Sequence, residues 1–234
     1  MAHPGLFVTG TDTDVGKTAV AAAIVRQLVG GGRRVGVYKP VASGFTASAS
    51  DAQLLWEAAG RPLAVEQVCP QAFSRPLSPP RAARVEGRRV DERLLRSGLE
   101  PWRAASDVVI VEGAGGLFSP AGEQSLNVDL ARDLGLPLVI VDAARLGAIG
   151  RTLMAVTAAR AAGLAVAAVV LSHTHRLGGA DDDPASDVRI AADNACDLTA
   201  RLGDVPVGTL AHAAERIDPG IDWLTLATTA GRRA

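Results

Sequence analysis

The sequence predicts a doubly wound α/β domain, a mostly parallel sheet with helices on both faces. Three observations carry that prediction. Short β-rich runs alternate with Ala-rich stretches from one end of the chain to the other, the order that builds a parallel sheet. Most of these runs are continuously apolar and not alternating, as strands buried on both faces require. The chain has 234 residues with no internal repeat and no interdomain linker, which fits one domain over 1–234.

The strands are read at Leu6–Thr9, Val35–Lys39, Asp107–Val111, Leu138–Asp142, Ala167–Ser172 and Val205–Thr209. Helices are read between them at Thr18–Val29, Asp51–Ala59, Asp91–Ala105, Val128–Leu134, Thr152–Ala162 and Ala185–Leu202. The run Gly30-Gly31-Gly32 closes the first helix, as glycine does at helix C-termini. Asp51 opens the second, where the helix dipole favours an acid. The segment His173–Ser186, with Asp181-Asp182-Asp183, reads as a mobile surface loop, and the last residues through Arg232-Arg233-Ala234 as a frayed end. A sheet of this kind binds its ligands at the carboxyl ends of the strands.

Composition narrows the function. Hydrophobic residues make up 48% of the chain but aromatics only 3%, so Ala, Val, Leu and Ile must build the core. The balance of 24 Lys+Arg against 25 Asp+Glu argues against a nucleic-acid arm or an electrostatic membrane anchor. The Arg-rich stretch Arg75–Arg103 lacks interleaved aromatics and reads as a solvated face. Cys69 and Cys196 form no disulfide framework or zinc site, and Cys196 is expected to pack within its helix. The start MAHPGLFVTG shows no signal-peptide pattern, and the longest apolar run, Leu164–Leu171, is too short for a bilayer. A soluble, cytoplasmic protein is expected.

Of the 24 basic residues only two are lysines, Lys17 and Lys39; the rest are arginines. A chain this biased keeps lysine where a compact ammonium on a flexible stem is needed. Both lysines follow apolar runs, which points to a shared site.

Three motifs carry chemistry. Gly10-Thr11-Asp12-Thr13-Asp14-Val15-Gly16-Lys17-Thr18 matches G-x-x-x-x-G-K-[ST] between a strand and a helix, the phosphate-binding P-loop in its required context. Its backbone N–H groups and helix dipole suit phosphate, Lys17 suits the β- and γ-phosphates, and the Thr18 hydroxyl suits Mg²⁺. Glu112, at the end of a buried strand and followed by Gly113-Ala114-Gly115-Gly116, stands where such proteins hold their metal. Tyr38-Lys39-Pro40-Val41-Ala42-Ser43-Gly44 places Lys39 and Ser43 at the same sheet edge, with Asp51 opening the next helix.

With these blocks, LGAIGR at 146–151 and PQAFSRPLSPP at 70–80, the chain resembles the dethiobiotin synthetases, P-loop cyclo-ligases of biotin synthesis. The resemblance implies ATP and Mg²⁺ as co-substrate and cofactor, and 7,8-diaminononanoate and CO₂ as substrates. It places Lys17 and Lys39 on the transferring phosphoryl and the carbamate, and Ser43 and Thr11 on the carbamate or diamine end. It assigns Mg²⁺ to Thr18, Asp51 and Glu112, and the phosphates to Asp14 through Ala19 (Val15 and Gly16 included). Gly113, Ala114 and Gly115 join the nucleotide site, as do Ser172, His173, Ala211, His212 and Ala213 around the base. A homodimer is implied, in which Gly147, Ala148, Ile149 and Gly150 of one subunit take the substrate carboxylate of the other. The chain departs from the family pattern at Gly150-Arg151 (Asn-His), Pro80-Arg81 (His) and Ser172 (an adenine-reading Asn), and at Leu210–Ala213, which lacks a proline. Arg151 is expected to add a cation to the carboxylate site.

Three other readings compete, one of them the synthetase domain of a cobyrinate-type amidotransferase, which needs a glutaminase domain with a catalytic Cys. A switch ATPase of the partition type needs a further lysine early in the loop, where this chain has Thr11 and Asp12. A P-loop relative with an altered substrate is the third.

Overall fold

A computed structural model describes residues 3–44, 51–174 and 184–229. The central residues of the expected loop 173–186, His175 and Asp181–Asp183 among them, lie outside the described residues, as does the end of the chain beyond 229.

The elements follow in the order β1 (Gly5–Gly10), α1 (Lys17–Gly30), β2 (Val35–Tyr38), β3 (Ala42–Ser43), α2 (Asp51–Ala58), β4 (Ala72–Phe73), α3 (Pro79–Val85), α4 (Leu94–Ser97) and α5 (Glu100–Ala105). Then come β5 (Val108–Gly116), α6 (Asn127–Leu134), β6 (Leu138–Ala143), α7 (Ala148–Ala161), β7 (Val166–Ser172), α8 (Pro184–Leu202), β8 (Val207–Leu210) and α9 (Trp223–Thr229). Six strands form one sheet in the order β2-β5-β1-β6-β7-β8, every neighbouring pair parallel. α1 packs with α2 and α9, and α7 with α8, as separate helical layers against the strands. β1 is completely buried between β5 and β6, at the point where the chain switches from one half of the sheet to the other. Such a switch point opens a crevice at the carboxyl ends of the strands, and the phosphate loop leaves β1 there.

A second, two-stranded sheet was not legible as strands. β3 pairs in parallel with β4, and the segment around it is tied down by Lys39 N–H to Val68 O at 2.7 Å and Ala42 N–H to Gln71 O at 2.9 Å. These bonds hold Lys39 and Ser43 over the open end of β2.

Other boundaries move for physical reasons. The helix expected over Asp91–Ala105 is broken into α4 and α5 at Gly98, where a Cβ would sit 2.3 Å from the Tyr38 hydroxyl. That hydroxyl donates to Leu94 O at 2.6 Å and leaves room only for glycine at 98, while Pro101, with no N–H to give Ser97 O, interrupts the helical ladder between α4 and α5. α7 begins at Ala148, four residues before the expected start, with Gly147 at φ 86° opening its first turn. Cys196 is exposed on α8, so it does not pack in the core. β5 runs on through Gly116, so Glu112 lies within the strand and not at its end. Its glycines permit this: a Cβ at Gly116 would lie 3.2 Å from Thr11 O, and one at Gly113 2.9 Å from Asn127 Oδ1.

The α5 residue Trp102 is fully buried, and its indole N–H donates to Gln67 O at 3.1 Å. It braces β2, the strand that delivers Lys39. Trp102→Ala is expected to cost about 3–5 kcal/mol of stability. Urea unfolding of both proteins measures it, and a loss under about 1 kcal/mol would refute the bracing role.

Candidate active site

The phosphate loop is folded tightly onto itself. At Gly10 a Cβ would lie 2.6 Å from Asp12 O and 2.8 Å from the Val15 side chain. Asp14 has φ 54° and Gly16 φ 89°, left-handed values that turn successive N–H groups inward. Of the three non-glycine residues with positive φ among the described residues, two, Asp14 and Ala213, line the same cavity. Strain of this kind concentrates at functional sites. The Lys17 ammonium lies across the loop and donates to Asp12 O at 2.8 Å. Burial lowers its pKa below the ordinary 10.5; Glu112 opposes that effect and Lys39 adds to it.

Across the cavity, Glu112 is a carboxylate at 1% exposure. Its Oε1 accepts from Lys39 Nζ at 2.8 Å and from Thr18 Oγ1 at 2.9 Å. Lys39 Nζ also donates to Asp51, which α2 brings to the cavity mouth. Burial works against the Lys39 charge, but Glu112 and Asp51 outweigh it and raise its pKa. Partial burial likewise disfavours the Asp51 carboxylate, yet the Lys39 ammonium holds its pKa below the ordinary 3.8. The second oxygen, Glu112 Oε2, is buried and has no hydrogen-bond partner. A bare carboxylate oxygen beside a hydroxyl and a second carboxylate is the hard-oxygen donor set that Mg²⁺ takes together with phosphate. The residues present therefore fit that ion.

One cavity of about 590 Å³ gathers most of the expected residues: Asp14, Gly16, Lys17, Thr18, Ala19, Lys39, Ser43, Asp51, Glu112, Gly113, Ala114 and Gly115. Ser172, His173, Ala211, His212 and Ala213 line its far end. Ser172 is packed against the phosphate loop, since a Cβ at Gly16 would lie 2.3 Å from its hydroxyl oxygen. Val15 turns instead into the core, at 2% exposure.

Thr11 also departs from this group. It lines a second cavity of about 330 Å³ with Ser119, Arg151 and Met154, and its hydroxyl donates to Asp142 at 2.6 Å. Gly147, Ala148, Ile149 and Gly150 form the first turn of α7 and line neither cavity. Arg151 is already paired with the chain's own Asp142 at 3.1 Å, so it offers no free cation there. Two residues that the sequence reading passed over matter here. Asp142, fully buried, closes the apolar run of β6 (an acid at that place was the available signal). Asn127 donates to Ala114 O at 2.6 Å and Gly116 O at 2.8 Å, bracing the glycine strand.

Two outcomes follow from this geometry. Gly16→Ala combines a forbidden φ with the Ser172 contact; a stability loss of about 1–3 kcal/mol is expected, with weakened triphosphate binding by calorimetry. Unchanged binding would remove Gly16 from the phosphate cradle. The pH dependence is also specified. Because the folded pKa of Asp51 lies below its ordinary value, its contribution is complete above that ordinary value and is lost as pH falls through the folded one. Nucleotide-free Asp51→Asn should therefore show a shallower acid-side loss than wild type in urea midpoints between about pH 6 and pH 2; parallel curves would contradict the ion pair.

Comparisons with known proteins agree with this layout. A family model described as an AAA domain (AAA_26) matches residues 4–209. The chain is 46% identical over 182 residues to the ATP-dependent dethiobiotin synthetase BioD of Rhodopirellula baltica, covering 71% of each chain. It is 44% identical over 181 residues to the protein of that name from Anaeromyxobacter dehalogenans (strain 2CP-1), covering 77% of this chain and 79% of the relative. Among solved structures, the Thermotoga maritima cell division protein FtsY superposes with a TM-score of 0.52 at 16% identity, over 97% of this chain and 70% of that one. That likeness speaks for the fold alone. The phosphate loop, the paired carboxylates and relatives this similar over most of their length lead to one assignment: the chain belongs to the ATP-dependent dethiobiotin synthetase family.

Proposed function

We propose that the chain closes the ureido ring of dethiobiotin on 7,8-diaminononanoate, using CO₂ and ATP with Mg²⁺. The observation that carries this reading is the convergence of the chain's two lysines on one cavity that also holds Glu112 and Asp51. A partition-type switch carries its second lysine within the phosphate loop; here the second cation, Lys39, comes from the end of β2, where it can meet a second anion brought to the γ-phosphate.

The chemistry is one addition followed by two displacements. One amine of the substrate takes up CO₂ and loses a proton, giving a carbamate. A carbamate oxygen attacks the γ-phosphorus and ADP leaves, forming a carbamic–phosphoric anhydride. The second amine attacks the carbamate carbon, phosphate leaves, and the ring is closed with loss of a proton. Lys17 holds the β- and γ-phosphates. Lys39 has three N–H groups, of which two are engaged by Asp51 and Glu112, leaving the third for the carbamate. Ser43, held over the cavity by the β3–β4 pair, hydrogen-bonds the carbamate. Thr18, Asp51 and Glu112 would hold Mg²⁺, which supplies charge neutralisation at the phosphates when bound. Ser172, His173 and Ala211–Ala213 receive the base. Positioning and fixed charge supply most of the rate in phosphoryl transfer, so this set suffices without a covalent nucleophile.

A homodimer completes the site in this reading. Leu146 is 82% exposed beside the first turn of α7, Met154 67% and Phe118 52%. Met154 and Phe118 line the second cavity, and this exposed apolar surface suits a second copy, whose α7 N-terminus would take the substrate carboxylate. Among the described residues no helix is long and apolar enough to cross a membrane.

The test is phosphate release with Mg·ATP and bicarbonate, with and without the diamine, and product mass read alongside. Diamine-dependent release with a cyclic-urea mass supports the reading; nucleotide binding without it means an altered substrate. Lys39→Arg should lower turnover by about 10²-fold or more while nucleotide binding is kept, because the planar guanidinium cannot occupy a pocket shaped for one ammonium. Retained turnover would remove Lys39 from the mechanism.

A further inference from the structure

Asp142 is a fully buried carboxylate near the end of β6, which β1 flanks on one side and β7 on the other. Its Oδ1 accepts from Thr11 Oγ1 at 2.6 Å and from Ala143 N–H at 2.8 Å. Arg151 Nε lies 3.1 Å from both carboxylate oxygens, and Thr152 Oγ1 lies 3.4 Å from Oδ2. Arg151 stands in the first turn of α7, where the helix dipole disfavours a cation; the Asp142 carboxylate offsets that. Its Nη1 reaches Leu146 O at 3.3 Å. One ion pair therefore ties the first residue of the phosphate loop to the turn that opens α7. Both Thr11 and Arg151 line the second cavity.

A threonine hydroxyl has one proton to donate and lone pairs to accept with. At 2.6 Å from a buried carboxylate, that proton belongs to the Asp142 bond. Thr11 can then present only an acceptor to the cavity. The Arg151 charge is matched by Asp142, although its buried Nη2 has no partner.

We propose that Arg151, acting through Asp142, is a positioning residue that locks the Thr11 hydroxyl as a hydrogen-bond acceptor, so that the cleft selects a substrate group bearing an N–H. In the ligase reading, on which this inference rests, that group is an amine of the diamine and not the carbamate oxygens. The Asp142–Arg151 pair thereby sets specificity at the substrate end of the site without touching the nucleotide.

A double-mutant cycle tests this, read as KM for the diamine against KM for ATP. Arg151→Gln and Thr11→Val are each expected to raise the diamine KM roughly tenfold with the ATP KM unchanged. Arg151→Lys, which keeps an N–H for Asp142, should recover most of the loss. The decisive variant is the pair: Arg151→Gln added to Thr11→Val should cost nothing further, because the arginine acts only through the hydroxyl. Multiplying effects, or an unchanged diamine KM in Arg151→Gln, would overturn the proposal. If Arg151→Gln does not fold, Asp142→Val with Arg151→Met removes both charges together and is read in the same cycle. Wild-type protein without diamine-dependent turnover would instead overturn the ligase reading and this inference with it, an outcome seen before any variant is made.

Discussion

A carboxylate at 1% exposure in the middle of a parallel sheet is the constraint around which this molecule is arranged. Glu112 cannot stay ionised there without a cation and hydrogen-bond donors, since an unpaired buried charge costs several kcal/mol. Lys39 and the Thr18 hydroxyl supply them. To reach Glu112, Lys39 must leave β2 at the sheet edge beside β5, and the backbone bond to Val68 O fixes that exit. Thr18 must stand in the first turn of α1, which places the phosphate loop against the same oxygen. The small second sheet, the bracing of α5 on β2 and the glycine extension of β5 can all be understood as means of keeping three segments of chain within reach of one carboxylate.

The phosphate loop also acts as a partition. Its later residues, Asp14 and Gly16 to Ala19, face the larger cavity, whereas Thr11 near its start faces the smaller one. Gly10 and Gly116 meet with no side chains between them, so the wall separating the two spaces is only a backbone thick. In the proposed reaction the nucleotide and the carbamate meet in the larger cavity, at Lys17, Lys39 and Ser43, and Thr11 reaches the substrate from the smaller one.

What could be read from the sequence was local. The phosphate loop is a contiguous motif whose conformation depends on its own glycines, and it folds as its spacing predicts. Lys39 and Asp51 were found by residue usage and by helix position, and the sheet brings them together as expected. Misreadings arose where distant residues decide. Position 98 must be glycine because Tyr38, sixty positions earlier, fills the space beside it. The hydroxyl of Thr11 faces away from the large cavity because Asp142, on another strand, accepts its proton. Glu112 lies inside a strand because Asn127 and the loop backbone leave room only for glycine after it. No periodicity within a short window carries information of that kind.

The elevated proton affinity of Lys39 has a chemical consequence for the proposed reaction, which handles CO₂ and a carbamic–phosphoric anhydride. Both are electrophiles that free amines attack. Every lysine in the chain lies in this cavity, at 8% exposure for Lys17 and 5% for Lys39, so the groups most prone to self-acylation sit nearest the reactive intermediates. The carboxylates that hold Lys39 raise its pKa and keep it as an ammonium, which has no lone pair to give. In the proposed reaction the ion pair that stabilises the fold thus also shields Lys39 from these electrophiles, whereas burial lowers the pKa of Lys17.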